Sequence, residues 1–165
     1  MNEDRKTEQL QIRVSPSEKA AIRRAAKHSG MRMSDWVLSK VLSAGQEKFQ
    51  QLVNELSETE KPSYIIAELN EVLNVLPREE FQRVVSEGPP ACLTSYWENY
   101  VAAMVEHAAM IKNATVPVWT KKIQPLEEPT FGSSLDSLRL HLLTNSPPAF
   151  RGRNIFIDSS VGDRV

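Results

Sequence analysis

A helix-capping signal directly follows an alternating segment near the N-terminus, and this pair constrains the chain more than any other feature. Leu10, Ile12 and Val14 alternate with Gln9, Gln11 and Arg13. A period of two predicts a short strand with one apolar and one polar face. Ser15-Pro16-Ser17-Glu18 comes next. The Ser15 hydroxyl is placed to accept from the backbone N–H three residues on, and Glu18 to reach back to the Ser15 N–H. Pro16 falls where a missing N–H costs nothing. A helix is therefore predicted from Pro16 to about Ser29, with Ala21, Ile22, Ala25 and Ala26 inward and Gly30 closing it.

A second helix is predicted to open at Ser34, with Asp35 in its first turn and an apolar face of Trp36, Val37, Leu38, Val41 and Leu42. Gly45 either ends this helix or weakens it, and Phe49, Leu52, Val53 and Leu56 continue the helical spacing. After a break at Thr59–Pro62, helices are predicted over Ser63–Leu76 and from Pro77 to Gly88. A longer one, capped by Thr94 or Ser95, runs to about Asn113, with Trp97 and Tyr100 in its core stripe. Residues 117–133 carry Pro117, Pro125, Pro129 and Gly132 and read as an extended strap anchored by Trp119, Ile123, Leu126 and Phe131. A short helix over Leu135–Leu143 and a strand or extended piece at Asn154–Ile157 follow.

Charge is divided along the chain. The whole carries a formal charge of −1. Residues 1–45 hold nine Lys/Arg against five Asp/Glu, a net +4, and the remainder is −5. A basic head on an acidic body points to two tasks.

The order strand, capped helix, glycine and second helix, in the string LQIRVSPSEKAAIRRAAKHSGMRMSDWVLSKVL, resembles the ribbon-helix-helix family of CopG- and Arc-like DNA-binding domains. Within it, the string is most similar to the TacA-type antitoxins. The resemblance covers the first 45 residues or so. It implies a homodimer in which two strands pair and four helices close over a dimer core of Leu10, Ile12, Val14, Ile22, Trp36, Val37 and Val41. So short a chain cannot bury an adequate core alone. The paired strands then present Gln9, Gln11 and Arg13 to the bases of double-stranded operator DNA. By the same resemblance Met33 and Ser34, at the second helix's N-terminus, hold a phosphate. Arg5 and Lys6 are further phosphate candidates. Lys19, Arg23, Arg24 and Lys27 read as solvated surface.

The expected fold is mainly α: a ribbon-helix-helix unit for dimerisation and DNA binding (1–45), a helical region (46–116), and a Pro-rich strap with a C-terminal tail (117–165). The resemblance implies an antitoxin of a type II toxin-antitoxin system, which represses its own promoter and neutralises a toxin through its C-terminal region. The tail has a similarity to proteins encoded beside nucleotidyltransferase-like toxins. Trp119, Phe131, Phe150 and Phe156 are the toxin-binding candidates, with a place in the protein's own core as the alternative. The second functional expectation is a stand-alone repressor whose C-terminal helices extend the dimer or sense a ligand.

Enzymatic chemistry finds no support in the sequence. His28, His107 and His141 lack metal-ligand spacing with Cys92, the single cysteine, and no phosphate loop, GxSxG or HExxH occurs. No catalytic residue, metal or cofactor is therefore expected. Glu98 and Glu106 read as surface charges, and Arg151-Gly152-Arg153 as a solvated turn rather than an anion site. No apolar run reaches the roughly 20 residues of a membrane span, and the charged start has no signal-peptide core, so a cytoplasmic protein is expected.

Overall fold

In the first helix, α1 (Pro16–His28), the Ser15 hydroxyl accepts from the Glu18 N–H and the Glu18 carboxylate accepts from the Ser15 N–H at 2.7 Å. These bonds hold the Glu18 carboxyl below its ordinary value. Gly30 sits at φ +66°, a left-handed position that lets the chain turn out of α1. The computed structural model describes residues 11–59, 61–89 and 93–158, without the side chains of residues 42 and 43. Arg5, Lys6, Gln9, Leu10 and Cys92 lie outside the described residues.

Four further long or medium helices follow. They are α2 (Met33–Glu58), α3 (Pro62–Val75), α4 (Arg78–Val84) and α5 (Ser95–Ile111). Pro62, placed in a break by its sequence context, instead occupies the first position of α3, where its missing N–H leaves no bond unmade. Thr94 caps α5 through the Trp97 N–H. A 3-10 turn at Thr120–Lys122 leads to strand β1 (Thr130–Phe131). A second 3-10 turn at Asp136–Leu138 runs into α6 (Arg139–Asn145), followed by α7 (Pro148–Arg151) and β2 (Ile155–Phe156). The fold is mainly α. Its sheet, among the described residues, is the parallel pair β1–β2, in register Thr130 to Ile155 and Phe131 to Phe156.

The chain divides into two compact units, Met1–Val41 and Leu42–Val165, with the division inside α2. In the second unit α2 contributes Phe49, Leu52, Val53 and Leu56 to one core. α3 adds Ile65, Ile66, Leu69 and Leu73, and α4 adds Phe81 and Val84. α5 supplies Tyr100, Val101, Met104, Val105 and Ala108, with Phe150, Ile155 and Ile157 closing from the C-terminal segment. Gly45 does not end α2. A Cβ there would lie 2.9 Å from Val84 Cγ2, so the missing side chain allows α2 and α4 to approach closely.

Residues 117–133 are bound down rather than free. The Trp119 indole lies against Gly88, where a Cβ would sit 3.1 Å from the ring, and its Nε1 donates to the Val85 carbonyl at 2.8 Å. Asn99 on α5 donates to the Gln124 carbonyl at 3.0 Å. The physical reason is polar satisfaction: buried donors hold irregular backbone to the helices.

The expected N-terminal strand lies partly outside the described residues, and its described part is not a strand. Residues 11–15 are neither helix nor strand. A ladder needs a partner segment, and none of the described residues pairs with this one.

Candidate nucleic-acid interface

The N-terminal unit leaves large apolar side chains in solvent. Ile12 and Val41 are each 58% exposed, and Val14, Met31 and Met33 are also exposed. Ile22, Trp36 and Val37 are half-buried, and among the described residues of this unit Ala26 is the buried apolar one. Ile12, Val14, Ile22, Met33 and Val37 line one open groove, with Arg13 and Lys19 beside them. Gln11 and Arg13, the base-contact candidates that fall among the described residues, are exposed between Ile12 and Val14.

The helix start differs by one residue from the sequence expectation. α2 begins at Met33, so Ser34 is its second residue and not its cap. Its first backbone turn bond runs from the Trp36 N–H to the Arg32 carbonyl at 2.9 Å. The Met33 and Ser34 N–H groups precede that bond, at the helix's open positive end. Both residues are exposed. Asp35 would repel a phosphate there, but Arg32 Nε meets its carboxylate at 2.7 Å and compensates the charge. That pairing, at a spacing of three residues, was readable in the sequence as Arg32 and Asp35.

In the second unit the aromatic candidates have different surroundings. Phe150 is 4% exposed and lies edge-on to Tyr100, with ring centres 5.3 Å apart. It is a core residue, and a buried ring offers no surface to a partner. Phe131 and Phe156 are half-buried and stack on each other across the β1–β2 pair at 5.1 Å. Arg139 covers the Phe131 ring at 5.3 Å. Trp119 is packed against the core as described above.

Arg153 overturns the expectation of a solvated turn. It is 5% exposed. Its guanidinium grips Glu106 with two bonds, 3.1 Å from Nε and 2.6 Å from Nη2. It also donates to Asn99 Oδ1 at 2.9 Å and to the Thr120 carbonyl at 2.7 Å. An anion has no place here, because Glu106 already supplies the negative charge. Glu106 is correspondingly half-buried and is not the surface charge that its helix position suggests. Separations of 47 and 54 residues made this cluster invisible to local pattern.

Among the described residues, no group of three or more His, Cys, Asp or Glu is placed to hold a metal, and no helix is long and apolar enough to cross a membrane.

Comparison with known proteins bears on the head. No curated protein and no solved structure gives a significant match. Residues 4–72 match the NikA-like family, described as Mobilization protein NikA. The matched span begins ahead of the ribbon residues and ends inside α3, and it covers less than half of the chain. This finding overturns the antitoxin reading and its repressor alternative, together with the toxin partner and the role in autorepression. The reason for the error is physical: a ribbon with two helices encodes a way of docking on DNA, and says nothing of the process the DNA serves. The head of this chain, through α2 and into α3, is similar to a mobilization protein of the NikA type.

Proposed function

We propose that this protein is an accessory DNA-binding protein of plasmid mobilization, acting in the cytoplasm at an origin of transfer and without a catalytic step of its own. The observation that carries the reading is the match of residues 4–72 to the NikA-like mobilization family. The exposed apolar groove of the N-terminal unit supports it: a second copy of this chain covers Ile12, Val14 and Val37 and gives each ribbon strand its partner. The paired ribbon then offers Gln9, Gln11 and Arg13 to the major groove, and Met33 and Ser34 to a flanking phosphate. Arg5 and Lys6 add phosphate contacts. DNA binding is the work of residues 1–45, and the relaxase that nicks the transfer origin is the protein such an accessory factor serves.

The test is binding of the full chain to a labelled origin-of-transfer fragment, against a scrambled fragment of equal length, across a salt series. The native sequence is expected to bind more tightly, and Arg13→Ala to lose about 1–3 kcal/mol of that preference. Equal affinity for both fragments would sink the proposal. So would unchanged plasmid transfer in cells that lack the protein.

A further inference from the structure

Charge in the body of the chain is not spread evenly. Residues 46–89 hold nine Asp/Glu against four Lys/Arg, a net −5. Residues 90–165 hold seven of each. The whole acidic excess of the body therefore lies in the stretch that supplies the later part of α2, then α3 and α4. An open groove of about 440 Å³ lies between α2 and α3 in this stretch. Gly45, Val72, Val75 and Leu76 give it an apolar strip, and Val75 stands 76% exposed. Glu68 and Glu71 line the same groove, and Glu68 meets Lys48 of α2 at 3.5 Å. On the α4 side, a Glu80 carboxylate oxygen lies 3.8 Å from where a Gly45 Cβ would be. Three carboxylates and one ammonium thus surround the apolar strip. The DNA-binding proposal uses none of these residues.

Charge and shape restrict what this groove can take. DNA is disfavoured, because its phosphates would meet carboxylates. A small molecule in so open a groove would keep much of its surface in water. A helix with apolar side chains along one face suits an apolar strip between two helices, and cations on its flanks complement the carboxylates. The Lys48–Glu68 pair is solvent-exposed on its lysine side, so replacing Lys48 by a cation from outside costs little. The chain's own basic helix, α1, does not fit this description. Ala26 is buried and Ile22 half-buried in its own unit, and α1 exposes no large apolar side chain.

We propose that the α2–α3 groove docks a basic amphipathic helix of a partner protein. Apolar side chains of that helix pack on Val72, Val75 and Leu76, and its Lys or Arg side chains meet Glu71 and Glu80. The test titrates the full-length protein into a fluorescently labelled amphipathic peptide, leucine on one face and lysine on the other, and follows anisotropy. A peptide with glutamate in place of lysine is the control. Saturable binding of the lysine peptide is expected, about tenfold or more tighter than the control. Glu71→Lys and Val75→Ser, both at exposed positions, should each weaken it about tenfold. Glu128→Lys makes the same charge change at an exposed residue that does not line the groove, and should leave affinity within about twofold. Equal weakening by Glu128→Lys and Glu71→Lys would reveal attraction to net charge alone and overturn the proposal. Binding that never saturates, or that Val75→Ser leaves unchanged, would also overturn it. So would looser self-association of Glu71→Lys or Val75→Ser in sedimentation without peptide, which would assign the groove to a second copy of this chain.

Discussion

The two compact units treat their apolar side chains in opposite ways. In Leu42–Val165, Phe49, Leu52, Phe81 and Val105 are fully out of water, and irregular segments are pinned by buried donors. In Met1–Val41, Ile12 and Val41 lie more than half exposed, and residues 11–14 pair with no strand among the described residues. A unit of about 40 residues has too little interior to close on itself. One unit thus buries its apolar side chains within a single chain, and the other leaves several of them in solvent. Similar apolar content in a sequence does not imply similar burial in one chain.

The sharpest way to break this contrast is to attack the second unit at its buried ion pair. Arg153→Ala strands the Glu106 carboxylate beside Asn99, and should destabilise the unit by about 3–5 kcal/mol in urea unfolding. Restoring apolar packing with Arg153→Met and Glu106→Leu together should recover much of the loss. A near-neutral single variant would show that the guanidinium is not structural. Phe49→Ala, in the same core, should cost about 3–5 kcal/mol whatever the protein concentration.

The N-terminal unit should respond to concentration instead. Ile12→Ser removes exposed apolar surface and should leave the melting of the second unit unchanged. It should raise the dimer dissociation constant about tenfold or more, equivalent to about 1.4 kcal/mol, in sedimentation equilibrium. Unaltered self-association would mean that the groove faces something other than a second copy. Ser15→Ala, which deletes the α1 cap, should cost about 1 kcal/mol and act on the N-terminal unit alone.

The smallest effect is a difference in pH response. Burial places the His107 pKa below that of the unfolded chain, so the unfolded state takes up the proton first. Stability of the second unit is therefore flat above the unfolded value of about 6.5 and falls as pH drops from there through the folded pKa. His107→Gln should remove this slope. Glu18 works at lower pH: its carboxyl is held down by the Ser15 cap, so the cap's contribution is complete above the ordinary carboxyl value. It is lost as pH falls through the lowered one. A fall of both units over the same pH range would contradict the division.

How much was legible follows the reach of each interaction. The capping box, Gly30 and the Thr94 cap act over three to five residues, and the chain text showed them directly. The apolar stripes of α3 and α5 were legible for the same reason, since helical spacing repeats locally. Gly45 left two readings open, because a glycine that ends a helix and one that lets a neighbouring helix approach look alike until Val84 is seen beside it. Gly88 is a second case: it stands where a helix-ending glycine is expected, yet α4 ends at Val84 and the bare Gly88 Cα is what Trp119 rests on.

The sequence by itself determined where most helices begin and end, which faces are apolar, and that a basic head precedes an acidic body. These properties belong to neighbouring residues, whose backbone and side-chain chemistry acts within a turn or two. Only the tertiary structure decided that Arg153 is buried on Glu106 and that Phe150 packs edge-on against Tyr100 in the core. Those outcomes join residues tens of positions apart, through packing and polar satisfaction that no local spacing encodes.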